Sequence, residues 1–211
     1  MPAPRGRDAP RPREGDIPSP VPPPPRCHVV AGPNGSGKST FALRYLPQWA
    51  GDVEFVNPDL MAQGASPLDI RLSAFEAGKR ALRRIRALSA GRVPFAFETT
   101  LSGRSHLATL EALRAAGYAL DLYYLWLPDP TVLPVRIRHR VLHGGHDVPT
   151  ADVLRRFDRS RANLRAYAER ADRLFVFDAR LSVPELIYRR NGSELAFDED
   201  RARLAKEDLG L

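Results

Sequence analysis

The sequence predicts an α/β fold, a mostly parallel five-stranded sheet flanked by helices and followed by a C-terminal β-hairpin. Two observations carry this reading. Short apolar runs alternate with segments of helical periodicity from Arg26 to Phe177, and a glycine-rich turn at 32–39 joins the first run to the first helix. At 211 residues the chain is long enough for one such domain and too short for two large ones.

Residues 1–25 hold ten of the twenty prolines, mixed with arginine, and such a stretch can build neither a helix nor a sheet interior. It reads as a disordered leader outside the fold. The main domain then covers 26–184. Cys27–Ala31 is a buried first strand, and the helix from Lys38 ends near Pro47. Val53–Val56 is a second strand, and Ser66-Pro67 starts a long helix in which Ile70, Ala74, Ala77, Ala81 and Ile85 recur at helical spacing. Its arginines 80, 83, 84 and 86 form a solvated face. Pro94–Phe97 is the third strand, and Ser102–Ser105 opens a helix running to Gly117. Leu120–Leu127 is a long fourth strand stopped by Pro128-Asp129-Pro130, and 131–143 is a helix kinked by Pro134. After a glycine hinge, Thr150 caps a helix reaching about Arg170, and Leu174–Phe177 is the fifth strand. The remainder, 185–211, is a hairpin and tail, with Asn191-Gly192 supplying the two positive φ values of a type I′ turn. Strands joined by helices imply right-handed crossovers, which leave ligands at the carboxyl edge of the sheet.

Gly32-Pro33-Asn34-Gly35-Ser36-Gly37-Lys38-Ser39, followed by Thr40, matches G-x-x-x-x-G-K-[ST] between a strand and a helix, so the chain reads as a P-loop NTPase/kinase fold. The glycines let backbone N–H groups converge on phosphate oxygens. Lys38 adds a mobile positive charge, and the Ser39 hydroxyl is placed to ligate Mg2+ beside ATP. Asp59, Glu98 and Asp129 each follow a strand and so fall near this loop. Asp59 is either a base for an acceptor hydroxyl or an Asx-turn cap. Glu98 could bind an acceptor hydroxyl, hold a metal-bound water or simply end its strand, and Asp129 reads as structural.

Transfer of a phosphoryl group also needs cations near the γ-phosphate, and the arginine-rich helices between 136 and 165 are the natural lid. Arg136 and Arg140 lie one turn apart on the first of them. On the second, Leu154, Phe157, Leu164 and Ala168 form an apolar stripe, with Arg156, Arg159 and Asn163 on another side. Arg161 falls on the stripe itself, where periodicity offers no account of it. His139, His143 and His146 lack the partners of a zinc site and read as loop and hydrogen-bonding residues.

The net charge of +7 suits an anionic partner. No aromatic-basic stacking platform or nucleic-acid module accompanies it, which disfavours nucleic acid, although the arginine excess keeps a nucleic-acid-associated or regulatory P-loop ATPase as the alternative. The single cysteine, Cys27, fits a reducing cytoplasm. No apolar stretch approaches the roughly 20 residues of a membrane span.

Gly-Pro-Asn-Gly-Ser-Gly-Lys-Ser-Thr at 32–40, Asn-Pro-Asp at 57–59, Phe-Glu-Thr-Thr-Leu-Ser at 97–102, Arg140-Val141 with Gly-Gly-His-Asp-Val-Pro at 144–149, and Arg-Phe-x-Arg-Ser at 156–160 with Asn163-Leu164 occur in this order. Together they resemble the zeta-toxin-like P-loop kinases, in the stand-alone branch also described as predicted ABC-type ATPases. The resemblance implies an ATP- and Mg2+-dependent kinase that phosphorylates UDP-N-acetylglucosamine or a related nucleotide or nucleotide-sugar, and it brings in an antitoxin protein as a candidate partner. It implies that Lys38 and Ser39 hold ATP and Mg2+, that Asp59 is the general base, and that Glu98 and Thr100 bind the acceptor. Arg140 is then the first arginine at the γ-phosphate and Arg156 the second, with Arg159 behind it. The Gly-Gly-His-Asp-Val-Pro segment departs from the better-known toxins where their second arginine lies.

Overall fold

A computed structural model describes residues 22–62, 70–143, 145 and 147–211, with only the backbone described at 59, 62 and 70–75. Residues 1–21 of the expected leader, the Ser66-Pro67 helix start and His146 lie outside the described residues, as do the side chains of Ile70 and Ala74.

Seven strands form one sheet in the order β2-β3-β1-β4-β5-β6-β7. These are β1 (Arg26–Ala31), β2 (Glu54–Val56), β3 (Phe95–Thr99), β4 (Ala119–Trp126), β5 (Arg173–Asp178), β6 (Glu185–Asn191) and β7 (Ser193–Ala196). The first five run parallel, as expected. The hairpin, expected as a separate appendage, extends the same sheet because β6 pairs antiparallel with β5. Its turn also differs: Gly192 has φ 75 and Asn191 is not left-handed, so the turn is not of type I′.

Period-two alternation splits the core into two layers. On one face Cys27, Val29, Leu122, Tyr124, Leu174 and Val176 pack together, and on the other Val30, Tyr123, Leu125, Phe175 and Phe177. Helix α4 (Ile70–Ala90) and helix α5 (Ser105–Ala115) cover the first face. Helix α1 (Lys38–Arg44), with α2 (Pro47–Ala50), and helix α6 (Val132–Leu142) cover the second. A short α3 (Pro58–Ala62) follows β2. Pro134 sits in the first turn of α6, where its missing N–H is not needed, and the helix runs unbroken through it. Arginines 80, 83, 84 and 86 are exposed on α4, and Arg84 grips Glu54.

Helix α7 (Thr150–Ala168) differs from its expected form in two ways. Its N-cap is Pro149, without a side-chain cap bond, and Val153 rather than the exposed Leu154 is buried. Val153 and Phe157 join one core layer whereas Leu164, Tyr167 and Ala168 join the other, so the helix crosses the edge of the sheet. The tail adds a helix that the hairpin-and-tail reading omits, α8 (Glu199–Leu209). Asp198 caps it by accepting from Arg201 N, and Gly210 ends it at φ 65. Arg161 belongs to this contact: it donates to the Asp208 carboxylate and main-chain oxygen and lies 5.3 Å from the Phe157 ring centroid. No helix of the described residues is long and apolar enough to cross a membrane.

Candidate active site

The phosphate loop leaves β1 at Ala31, beside Thr99 of β3 and Tyr124 of β4. Gly32 has φ 145, and a Cβ there would come 2.9 Å from Leu125 O, so the turn requires glycine. Gly37 has φ 92 and caps α1 without a side-chain bond, leaving the first N–H groups of the helix open to an anion. Lys38 is buried and its Nζ donates to Pro33 O at 3.0 Å, which folds the side chain back across the loop.

Ser39 is the junction of three strand ends. Its Oγ donates to Glu98 Oε2 at 2.8 Å and accepts from Asn57 Nδ2 at 3.3 Å. Asn57 is buried, and its Oδ1 also accepts from Leu60 N at 3.2 Å, which starts α3. Sequence reasoning treats Asn57 only as part of the turn before Asp59, and its position in Asn-Pro-Asp is the signal that marks it. Asp59 is the second residue of α3, and its side chain lies outside the described residues.

The loop after β3 is tightly held. Leu101 is fully buried at φ 53, an unfavourable region for a non-glycine residue. Its N–H bonds Thr99 Oγ1 at 3.2 Å, and its carbonyl accepts from Asn163 Nδ2 at 2.8 Å. Thr100 and Ser102 share a 2.8 Å bond, and Tyr167 donates to Gly103 O at 2.8 Å. Asn163 and Tyr167 therefore fix this loop from α7, and the buried Ser160, 3.3 Å from Tyr124 Oη, ties the same helix to β4.

These elements enclose a cleft of about 540 Å³ lined by Asn34, Gly35, Gly37, Lys38, Ser39, Thr40, Glu98, Thr100 and, from α6 and α7, Arg136, Arg140 and Arg156. Arg156 approaches Asn34 Oδ1 at 3.5 Å. Arg136 anchors α6 by donating to Ala179 O and Arg180 O at 2.9 and 2.8 Å. Arg159 is exposed and does not line the cleft. Asp129 accepts from Thr131 N and Oγ1 at 2.8 and 2.7 Å, and those bonds hold its carboxyl below the usual range. The His139 and His143 rings meet tilted by 34° with centroids 4.5 Å apart, outside the cleft lining. Among the described residues no group of three or more His, Cys, Asp or Glu could hold a metal ion by itself.

His106, which no sequence pattern singles out, is on the cleft wall. Burial holds its imidazole below the ordinary value, and Nδ1 is buried without a partner among the described residues. Cys27 is fully buried, and burial pushes its thiol well up, which suits packing rather than reactivity.

A Haemophilus influenzae protein, itself uncharacterized, is 32% identical over 115 residues, which are 54% of this chain and 80% of that protein. The chain belongs to one family with it. No family model matches the chain. Among solved structures, a chain of the PezAT chromosomal toxin-antitoxin system of Streptococcus pneumoniae superimposes with TM-score 0.61 at 15% identity, over 94% of this chain and 90% of that one. The crystal structure of AvrRxo1-ORF1:-ORF2 with ATP gives TM-score 0.69 at 16% identity, over 87% of this chain and 64% of that one. The family member described here has the fold of the zeta-toxin-like P-loop kinases.

Proposed function

We propose that the chain is an ATP-dependent phosphotransferase that moves the γ-phosphoryl group of ATP to a hydroxyl of UDP-N-acetylglucosamine or a related nucleotide or nucleotide-sugar. The supporting observation is that one cleft gathers the phosphate loop, Glu98, Thr100, Arg140 and Arg156 from distant stretches of sequence.

The donor set at Ser39 fits Mg2+: its Oγ and the Glu98 carboxylate lie 2.8 Å apart, two hard oxygens at one point of the cleft. Ser39 and Glu98 would hold the ion, which when bound neutralises charge on the β- and γ-phosphates. In this reading Lys38 and the N–H groups of the loop bind the phosphates, and Thr100 holds the acceptor. Asp59 takes the proton of the acceptor hydroxyl. That oxygen bonds the γ-phosphorus as the bond to the bridging β–γ oxygen breaks, releasing ADP and the phosphorylated acceptor. Arg140 and Arg156 stabilise the charge on the transferred group. A protein partner of the antitoxin type is part of the proposal, because the PezAT neighbour comes from a toxin-antitoxin system.

Incubation with Mg-ATP and these acceptors should give a phosphorylated product by mass spectrometry, and hydrolysis of ATP with no phosphorylated acceptor would overturn the reading. Asp59→Asn should abolish transfer while leaving ATP binding within about twofold, so normal turnover by that variant would remove Asp59 as the base.

A further inference from the structure

We propose that the body of the acceptor occupies a second, larger cavity between α4 and α5, and that the acceptor is therefore a member of the nucleotide or nucleotide-sugar class proposed above that carries an extended apolar part beside its anionic group. This rests on the phosphoryl-transfer reading above. The cavity measures about 1020 Å³ and is continuous with the cleft, sharing Pro58, Glu98, Ser105 and His106 with it. Its floor is Val56 and Phe97 of the sheet, and its walls include Ala81 and Ile85 of α4 and Ala108 and Ala112 of α5.

Small residues on both helices keep this space open. On α4 the lining runs from Gly78 to Ala90 and on α5 from Ser105 to Ala116. At a rise of about 1.5 Å per residue, each wall is roughly 16 to 18 Å long. Glu98 and His106 stand where the groove meets the cleft, and Nδ1 of His106, buried without a partner among the described residues, gives the junction a polar atom beside that carboxylate. A hydroxyl placed there lies on the same cavity wall as the Ser39–Glu98 pair.

Charge selects among apolar occupants. Of the cations in the lining, Lys79 is paired with Glu76 at 3.2 Å and Arg92 donates to Ala116 O at 2.8 Å, while Arg86 lies midway along the groove; the one carboxylate, Glu98, accepts from Ser39 at the cleft end. All three cations are exposed, and Arg92 follows the end of α4, which precedes β3 and so lies toward the edge of the sheet away from the phosphate loop. An acceptor with its reactive hydroxyl at the cleft end of the groove, toward Thr100, and its apolar part along the helices would present an anionic substituent to Arg86 and Arg92.

The probe is 1-anilinonaphthalene-8-sulfonate, an apolar body with one anion, read by its fluorescence on the folded protein and compared with the neutral N-phenyl-1-naphthylamine. Ala112 is exposed, so Ala112→Phe should fold with an unchanged circular dichroism spectrum while filling the groove. Binding of both probes should weaken on the order of tenfold, with ATP affinity unchanged. Arg86→Glu, on the exposed face of α4, should weaken the sulfonate probe severalfold and spare the neutral one, which keeps the proposal testable if Ala112→Phe does not fold. Equal binding of both probes by wild type and Ala112→Phe would overturn the groove, and equal binding of the sulfonate probe by wild type and Arg86→Glu would overturn the anionic substituent. A parallel Mg-ATP assay compares aryl and alkyl glycosides with the free sugars and UDP-N-acetylglucosamine. Transfer that Ala112→Phe leaves unchanged refutes the groove alone, whereas the absence of transfer to every acceptor refutes the kinase reading and with it the assignment of the groove to an acceptor.

Discussion

Replacing Asn163 by Asp tests whether α7 holds the loop after β3 in its working shape. In the native chain Nδ2 donates to Leu101 O at 2.8 Å while Oδ1 accepts from Arg104 Nε at 3.3 Å. Aspartate keeps the shape but loses the N–H, so it sets a carboxylate oxygen against the Leu101 carbonyl. Leaving a buried acceptor unpaired costs about 1–3 kcal/mol. Against this, a stronger pairing with the exposed Arg104 returns at most about 1 kcal/mol. The left-handed Leu101 adds its own bias of about 1–2 kcal/mol toward release, because its φ of 53 persists only while neighbours hold it. The expected result is a fall in Tm of roughly 2 to 10 °C, given about 2–4 °C per kcal/mol in a chain of this size. Acceptor KM should rise, since Thr100 and Ser102 line the cleft, and ATP affinity should stay constant, since no bond joins Asn163 to the phosphate loop. Scanning calorimetry, acceptor kinetics and a nucleotide titration read these three effects. A Tm within about 1 °C of wild type would refute the claim that this contact holds the loop.

Three further outcomes follow from the same contacts. Arg156→Ala should lower kcat/KM about a hundredfold or more, whereas Arg159→Ala, outside the cleft lining, should stay within about twofold in steady-state kinetics. Asp121 is fully buried; burial works to raise its carboxyl, but hydrogen bonds from Arg173 and His28 outweigh it and lower it from 3.8 to about 2. Its stabilisation, about 2 kcal/mol by linkage, is therefore complete above about pH 4 and lost as pH falls through 2. Asp121→Asn should flatten that part of the urea stability profile. Finally, Arg161→Ala should lower the urea midpoint by an amount worth roughly 1 kcal/mol, and combining it with Asp208→Asn, whose amide oxygen can still accept from the Trp126 indole, should add little, since both remove the Arg161–Asp208 ion pair.

The sheet was legible because its strands are short apolar runs punctuated by glycine and proline, and the phosphate loop because its backbone demands glycine at fixed spacing. Long-range partners were not legible. Arg161 breaks the helical stripe of α7, and only the fold shows that Asp208, 47 residues away, accepts its guanidinium. Helix α8 had local signals in Asp198 and Gly210, but few apolar positions between them announce a buried face. Leu154 and Val153 illustrate a different limit. Both are apolar neighbours, and a shift of one residue in helix phase, about 100° of rotation, decides which of them is buried. At the site, strand-end placement marked Glu98 as important without distinguishing a metal role from an acceptor role. The Ser39 contact, a pairing between residues 59 apart, carries the proposal toward the metal.

Helix α7 also explains why the cleft has its width. Arg156 approaches Asn34 of the phosphate loop and Asn163 holds Leu101 after β3, so the two ends of the site meet one helix seven residues apart. Seven residues are close to two full turns, which puts both side chains on one face at a separation of about 10.5 Å along the axis. A helix has little freedom to stretch, so this spacing is fixed once the helix is anchored. Its anchors lie on both faces of the sheet: Val153 and Phe157 in one layer, Leu164, Tyr167 and Ala168 in the other. Asp208 adds a third, joining Arg161 of α7 to the Trp126 indole of β4 at 2.8 Å. Loosening α8 would thus act on the cleft by tilting the one element that spans it, even though no residue of α8 lines the site.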